Sequence, residues 1–340
     1  MTVQALRPSS IDDMLTWSRN TIDPHLRAAV GHLPEPLRRI CEYHFGWRDV
    51  HGKPVDGKPG KALRPALTLL TARAVGGDTA DAIPAAVAVE LVHNFSLLHD
   101  DVMDRDQTRR HQPTAWTVFG TSEAILAGDA LLAQASYTLA AAGPTAVQWL
   151  NDAVIELCQG QAQDLAFESR DDVVLDECIA MAHRKTSALL EVSCALGALA
   201  GGADEFTVRL MRDFGRHLGL AFQLVDDLLG IWGSPGDTGK PAHSDLANRK
   251  KSLPVVAALT SSTAHGHALA QLYLTSTPPN TDDLEYLAAL VEKAGGRQWA
   301  STRAADEIDK AMDCLARAKC EQGPAATLHD IAMRLTKRDH

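Results

Sequence analysis

The chain lacks a surplus of positive charge. Its formal net charge is −10 over 340 residues, which argues against nonspecific nucleic-acid binding. Diphosphate can still be held where basic residues gather locally. A secretory leader is also missing: Met1 to Thr21 has no apolar core and carries Asp12 and Asp13. No uncharged apolar run reaches bilayer length, so no transmembrane segment is expected. The six cysteines (Cys41, Cys158, Cys178, Cys194, Cys314 and Cys320) contain no CxxC pair. They read as buried thiols in a reduced, cytoplasmic setting. No Ser-His-Asp or Cys-His arrangement offers covalent catalysis. β-branched alternation is scarce, and there is no fixed-period repeat or clear linker.

What remains is helical. Alanine and leucine are abundant, and apolar residues recur at helical spacing. Ser10 followed by Asp13 reads as a helix start. Pro84 fits the first turn of a helix running toward Asp104. Gly76-Gly77, Gly201-Gly202 and Gly295-Gly296 read as helix stops. Asp49 to Gly60, Gly233 to Arg249 and Ser276 to Asp282 read as loops. The expected architecture is one all-α domain over residues 1–340.

Two paired acidic clusters stand out in this background. Asp100-Asp101-Val102-Met103-Asp104 follows His93-Asn94-Phe95-Ser96-Leu97-Leu98-His99, and Asp226-Asp227 lies within Phe222 to Leu229. One Asp-rich stretch is usually a solvated helix face. The apolar flanks (Phe95, Leu98, Val102, Leu224, Leu228) argue otherwise, because burying carboxylates together is costly unless cations neutralise them. Residues four apart share a helix face, so Asp100 and Asp104 point together and Asp101 is rotated aside. Few carboxylates with open positions suit Mg²⁺, which keeps waters and takes substrate phosphate oxygens. Gln223 can share the surface of Asp226 and Asp227.

Basic residues accompany the acids in a fixed order. Lys61 and Arg64, in Gly60-Lys61-Ala62-Leu63-Arg64-Pro65, can grip one anion at a loop-to-helix junction. Arg109-Arg110, Lys185-Thr186, Lys240 and Lys250 follow. Each alone is an ordinary solvated charge; the ordered set is informative.

That set resembles the trans-isoprenyl diphosphate synthases, also called polyprenyl synthetases. The pattern GKxxRP, HxxSLxHDDxxD, RR, KT, QxxDD and a lysine-bearing loop spans roughly Gly60 to Pro254. The run Asp227 to Gly233 looks like actinobacterial members, especially geranylgeranyl diphosphate synthases. The resemblance implies an antiparallel helical bundle around a deep central cavity, usually a homodimer. It implies that Lys61, Arg64 and His93 hold isopentenyl diphosphate, with Arg110 assisting. Asp100, Asp104 and Asp226 would bind Mg²⁺ (three ions with diphosphate present), supported by Asp101 and Asp227. Arg109, Lys185, Gln223 and Lys240 would contact the allylic diphosphate, with Lys250 as a further lysine. Thr186 and Gln223 would stabilise the growing cation.

The implied reaction is chain elongation: an allylic diphosphate ionises and isopentenyl diphosphate attacks the cation. Two departures stand out. Gly230 occupies the third acidic position of the second motif, and His111 follows the arginine pair where many members carry glycine. Product length should depend on what lies beneath Asp100. Ser96 is small and lies about 6 Å below on nearly the same face. Phe95 is offset by about 140°, but in the family an aromatic there limits elongation. The expected product is geranylgeranyl diphosphate. Two alternatives remain at this point: a class I terpene cyclase, for which no Asn/Asp-x-x-x-Ser/Thr-x-x-x-Glu motif is found near Asp226, and a noncatalytic subunit of a heteromeric synthase.

Overall fold

A computed structural model describes residues 10–55, 60, 62–110, 112–234, 242–273 and 280–336. The described residues are overwhelmingly α-helical, as expected, and form two compact units. The first draws on the chain up to Val154, Val192–Arg209 and Ala318–Leu328. The second draws on Ile155–Glu191, Leu210–Arg317 and the chain from His329 on. A minimal antiparallel hairpin, Thr108–Arg109 with Gln112–Pro113, is the one paired sheet among the described residues.

The Thr79–Met103 helix organises the first unit. Ala82, Ala85, Ala86, Val89, Leu91 and Val92 are all buried, the mark of a helix surrounded by protein. It packs against the Leu63–Ala74 and Thr121–Leu139 helices. Small residues set these distances. A methyl on Gly197 would overlap the Thr68 carbonyl, one on Gly77 would strike Gly201, and one on Gly128 would strike the His99 ring. The last segment of this unit is tied in by Glu321 N–H donating to the Ala74 carbonyl at 2.7 Å.

In the second unit, the buried stripe Leu220, Leu224, Val225 and Leu228 of the Glu205–Trp232 helix packs with Val256, Ala300 and Ala304. A further cluster joins Val255, Leu269, Leu287 and Val291. Glu307 is buried in this unit and receives His217 Nδ1, Lys310 Nζ at 2.8 Å and Arg303 at 3.0 Å.

Ser10 caps the first helix by accepting from Asp13 N–H at 3.1 Å. Gly76, Gly202 and Gly295 carry positive φ, as helix stops do. Gly296 instead opens the next helix, Gly296–Arg317. Pro84 lies beyond the first turn rather than in it. The helix begins earlier, at Thr79, because Asp78 accepts from Ala80 N–H at 3.0 Å and caps it there. The loop expected over Gly233 to Arg249 contains a short helix, Ser244–Ala247. The loop expected to end at Asp282 ends at Asn280, which caps the Thr281–Lys293 helix by accepting from Asp283 N–H at 3.0 Å.

Two helices are long and apolar enough to cross a membrane by length and composition. The apolar window of Thr79–Met103 is 72% buried, and that of Thr121–Ala142 is 33% buried. Core packing accounts for the first. The second leaves Ile125, Leu126 and Tyr137 exposed.

Gly197→Ala is expected to lower stability by about 1–3 kcal/mol, read as a shift in the urea midpoint at unchanged slope. Burial pushes the Glu307 carboxyl up, but the hydrogen bonds from His217 and Lys310 outweigh it and hold the group at about 2. A depressed carboxyl stabilises the fold above its unfolded value and loses that contribution as pH falls. The wild type should therefore lose stability between about pH 4.5 and 2. In Glu307→Gln, acid titration of the unfolding midpoint should show a flatter fall over that window.

Candidate active site

In the first unit, cations gather around a buried glutamate. Ala62, in the left-handed region at φ 49°, precedes the Leu63–Ala74 helix and sets Arg64 in its first turn. Burial pulls the Arg64 guanidinium down to about 10, opposed by Glu90, and its Nε has no hydrogen-bond partner. Arg110 is likewise lowered by burial and supported by Glu90. His93 is held well below its ordinary value by burial and by Arg64, Arg110 and Arg109, so its ring is neutral at pH 7. Glu90 is itself raised by burial despite Arg64 and Arg110. Asn94 Nδ2 donates to its carboxylate at 3.2 Å. A Cβ at Gly60 would lie 2.7 Å from the Arg110 guanidinium, so glycine there makes room for arginine. A hollow is lined by Arg19, Gly60, Ala62, Glu90 and Arg110. A second hollow lies against His44, Asp101, Arg109 and Arg110. Arg110 reaches both from the hairpin turn, where its φ is 52°. Lys61 and His111 lie outside the described residues.

The first acidic cluster divides by burial. Asp101 is buried and accepts from Arg109 Nε and Nη2, each at 2.7 Å. Burial pushes its carboxyl up, and the hydrogen bond from Arg109 opposes this. Asp100 is half-buried and Asp104 exposed, one helical turn apart, with Asp104 N–H bonded to the Asp100 carbonyl at 2.8 Å. Ser96 Oγ is bound to the His93 carbonyl at 2.8 Å. Phe95 is buried, with its ring edge-on to His99 at 4.7 Å.

The second unit divides its acidic pair the same way. Asp226 is exposed and Asp227 buried. Asp227 accepts from Gln223 Nε2 at 2.8 Å, Leu253 N–H at 2.9 Å and Lys250 Nζ at 3.4 Å. Gln223 Oε1 in turn accepts from Thr186 Oγ1 at 2.5 Å. Thr186, Gln223, Asp227 and Lys250 thus form one hydrogen-bonded chain. Burial alone would lower Lys250, but Asp227, Asp245, Asp164 and Asp226 outweigh it and raise the ammonium well above its usual value. Lys185 is paired with Asp164 at 2.5 Å. Lys185 and Thr186 sit in a π-helical turn, His183–Ser187, a form common at functional sites. Gly160 and Gly219 let the backbone of that turn come close. Lys240 lies outside the described residues.

Among the described residues, no three or more His, Cys, Asp or Glu side chains converge on a preformed metal cage. The outward acids are hard oxygen donors that leave positions open, which fits Mg²⁺ shared with a phosphorylated ligand. The sequence reading missed several polar partners. Asp164, Glu90, Asn94, His44 and Asp245 surround the named residues. Gln161 is buried with both amide atoms unpartnered. The run of polar and small residues Gly160-Gln161-Ala162-Gln163-Asp164 was the available signal.

Residues 54–291 match the polyprenyl synthetase family model. The chain is 46% identical over 332 residues to a (2E,6E)-farnesyl diphosphate synthase of Mycobacterium tuberculosis, covering 96% of this chain and 92% of that one. It is 45% identical over 307 residues to a geranylgeranyl diphosphate synthase of the same species, covering 89% and 88%. The crystal structure of a polyprenyl synthetase from Streptomyces coelicolor A3(2) superposes with a TM-score of 0.91 at 44% identity, covering 96% of this chain and 99% of that one. With both acidic pairs and the ordered basic residues in place, the chain belongs to the polyprenyl synthetase family and is a trans-prenyltransferase.

Proposed function

We propose that the protein condenses isopentenyl diphosphate with an allylic diphosphate and releases geranylgeranyl diphosphate. One observation carries the two-substrate reading: half-buried Arg64 and Arg110 stand with neutral, half-buried His93 around a single buried glutamate. Such a concentration of partly desolvated positive charge, two guanidiniums to one carboxylate, suits a further anion. An enzyme that only ionises one allylic diphosphate has no need of it. In this reading Arg64, His93, Arg110 and Lys61 hold isopentenyl diphosphate. Asp100, Asp104 and Asp226 hold Mg²⁺, three ions with diphosphate present. When bound, Mg²⁺ neutralises charge on the departing diphosphate. Arg109, Lys185 and Lys240 orient that group, and Lys250 holds Asp227 in place. Thr186 and Gln223 turn their dipoles toward the developing cation. The allylic C–O bond breaks to give a carbocation and diphosphate. The double bond of isopentenyl diphosphate attacks the cation, and the released proton goes to the departing diphosphate. The deep apolar cavity that the family resemblance implies would exclude the water that traps the cation as an alcohol.

Relatives at similar identity are named for different products: farnesyl, geranylgeranyl and geranylfarnesyl diphosphate synthases. The twenty-carbon reading rests on small Ser96 and on Phe95 as the stop. Homodimerisation through the Thr121–Leu139 helix is supported by its exposed Ile125, Leu126 and Tyr137. A single-domain organisation is supported by continuous helices. Pro144–Glu168, Ala188–Ala200, Glu205–Trp232 and Gln322–Thr336 each run from one unit into the other. A reduced, cytoplasmic setting is in keeping with six free cysteines, although Cys158 is exposed and Cys320 half-buried, against the expectation that all are buried.

Incubation with isopentenyl diphosphate, each allylic primer and Mg²⁺, followed by chain-length analysis, tests the reading. Asp100→Ala and Asp226→Ala should each lower kcat by about 10²–10³-fold with unchanged circular dichroism, and Arg64→Gln should chiefly raise the KM for isopentenyl diphosphate. Near-normal turnover in either aspartate variant would contradict the metal assignment. Phe95→Ala should shift products beyond twenty carbons; an unaltered chain-length profile would remove Phe95 as the stop.

A further inference from the structure

We propose that Arg19, on the first helix, is a positioning residue for isopentenyl diphosphate: it holds the chain at Gly60 and so sets the entry of the Leu63–Ala74 helix that carries Arg64. The inference rests on the prenyltransfer reading above. That helix starts without a local anchor. Its cap, Ala62, has no side-chain acceptor and makes no capping bond. Ala62 is also in the left-handed region at φ 49°, where a residue with a Cβ stays only if its surroundings hold it. The hold therefore comes from elsewhere in the fold.

The Ile11–Gly31 helix supplies it. Arg19, Ile22, Asp23 and Leu26 follow the i, i+3, i+4, i+7 spacing of one helix face, and this face lines the hollow shared with Gly60, Glu90 and Arg110. Ile22 and Leu26 are buried and fix the rotation of the helix, while Arg19 is half-buried beside them. Asp23 is taken by Arg27 at 2.7 Å. Arg19 Nε donates to the Gly60 carbonyl at 3.3 Å, across 41 positions of sequence. At its Cα, Gly60 meets Arg110, since a Cβ there would lie 2.7 Å from the guanidinium. Gly60 is thus held by two arginines, one from the first helix and one from the hairpin turn. Glu90, the carboxylate common to Arg64 and Arg110, is also favoured in its charged form by Arg19. Arg19 lies before residue 54, where the family match begins, so no motif in the sequence pointed to it.

Steady-state kinetics on the full chain, with each substrate varied in turn, test this. Arg19→Leu should raise the KM for isopentenyl diphosphate by about tenfold. Its kcat and its KM for the allylic diphosphate should stay within about twofold of wild type. Arg19→Lys keeps a donor on the same helix face and should recover most of the rise. Arg19→Gln supplies the loss arm should Arg19→Leu unfold. An unchanged KM for isopentenyl diphosphate in the loss variant would overturn the inference. An equal change for both substrates, or an Arg19→Lys variant no better than the loss variant, would also overturn it and leave Arg19 as a purely structural contact. Arg64→Gln separates this inference from the reading beneath it. If Arg64→Gln raises the KM for isopentenyl diphosphate and the Arg19 loss variant does not, only the role of Arg19 fails. If Arg64→Gln leaves that KM unchanged, the reading beneath fails as well.

Discussion

The cost of burying a carboxylate organises the acidic pair in each unit. Each adjacent aspartate pair meets it the same way: one member turns inward onto a cation of the protein, and the other faces outward. Asp101 is bound by Arg109, and Asp227 by Lys250. An unpaired buried charge would cost several kcal/mol, so the inward acid and its cation stand or fall together. The outward acids at 100, 104 and 226 therefore start from a fixed backbone and differ in exposure from their inward neighbours. The inward pairs fix the helix rotation that presents them.

This division adds to the reading from the sequence. The apolar flanks signalled that acids are buried; Arg109 and Lys250 pair with the buried members, Asp101 and Asp227. The residues proposed for Mg²⁺ are their more exposed neighbours. The same logic extends to Glu90, whose burial beside Arg64 and Arg110 was invisible from its place in an alanine-rich run.

The helical class was legible because periodicity and alanine content act locally. So were the caps at Ser10 and the glycines at 76, 202 and 295, where backbone chemistry is fixed within a few residues. The start at Thr79 was misread because Asp78 competes with Pro84 as a signal and wins through its hydrogen bond. The site residues were legible as an ordered set of types. Their partners were not, because Asp164 and Asp245 reach Lys185 and Lys250 only through packing between segments. Glycines at 60, 160, 219 and 230 look like helix breakers in a sequence. Here each clears room for a neighbouring side chain or backbone.

The π-helical turn at His183–Ser187 has a consequence for the surfaces on either side of it. A turn closed by i→i+5 bonds holds a surplus residue relative to an α-helix. One residue corresponds to a rotation of about 100°. The Leu175–Ala182 and Ala188–Ala200 segments are therefore out of phase, and no single amphipathic stripe runs through both. Lys185 and Thr186 sit at the slip itself, where neither segment's apolar rhythm claims them, which leaves two polar side chains free to be aimed by chemistry rather than by core packing.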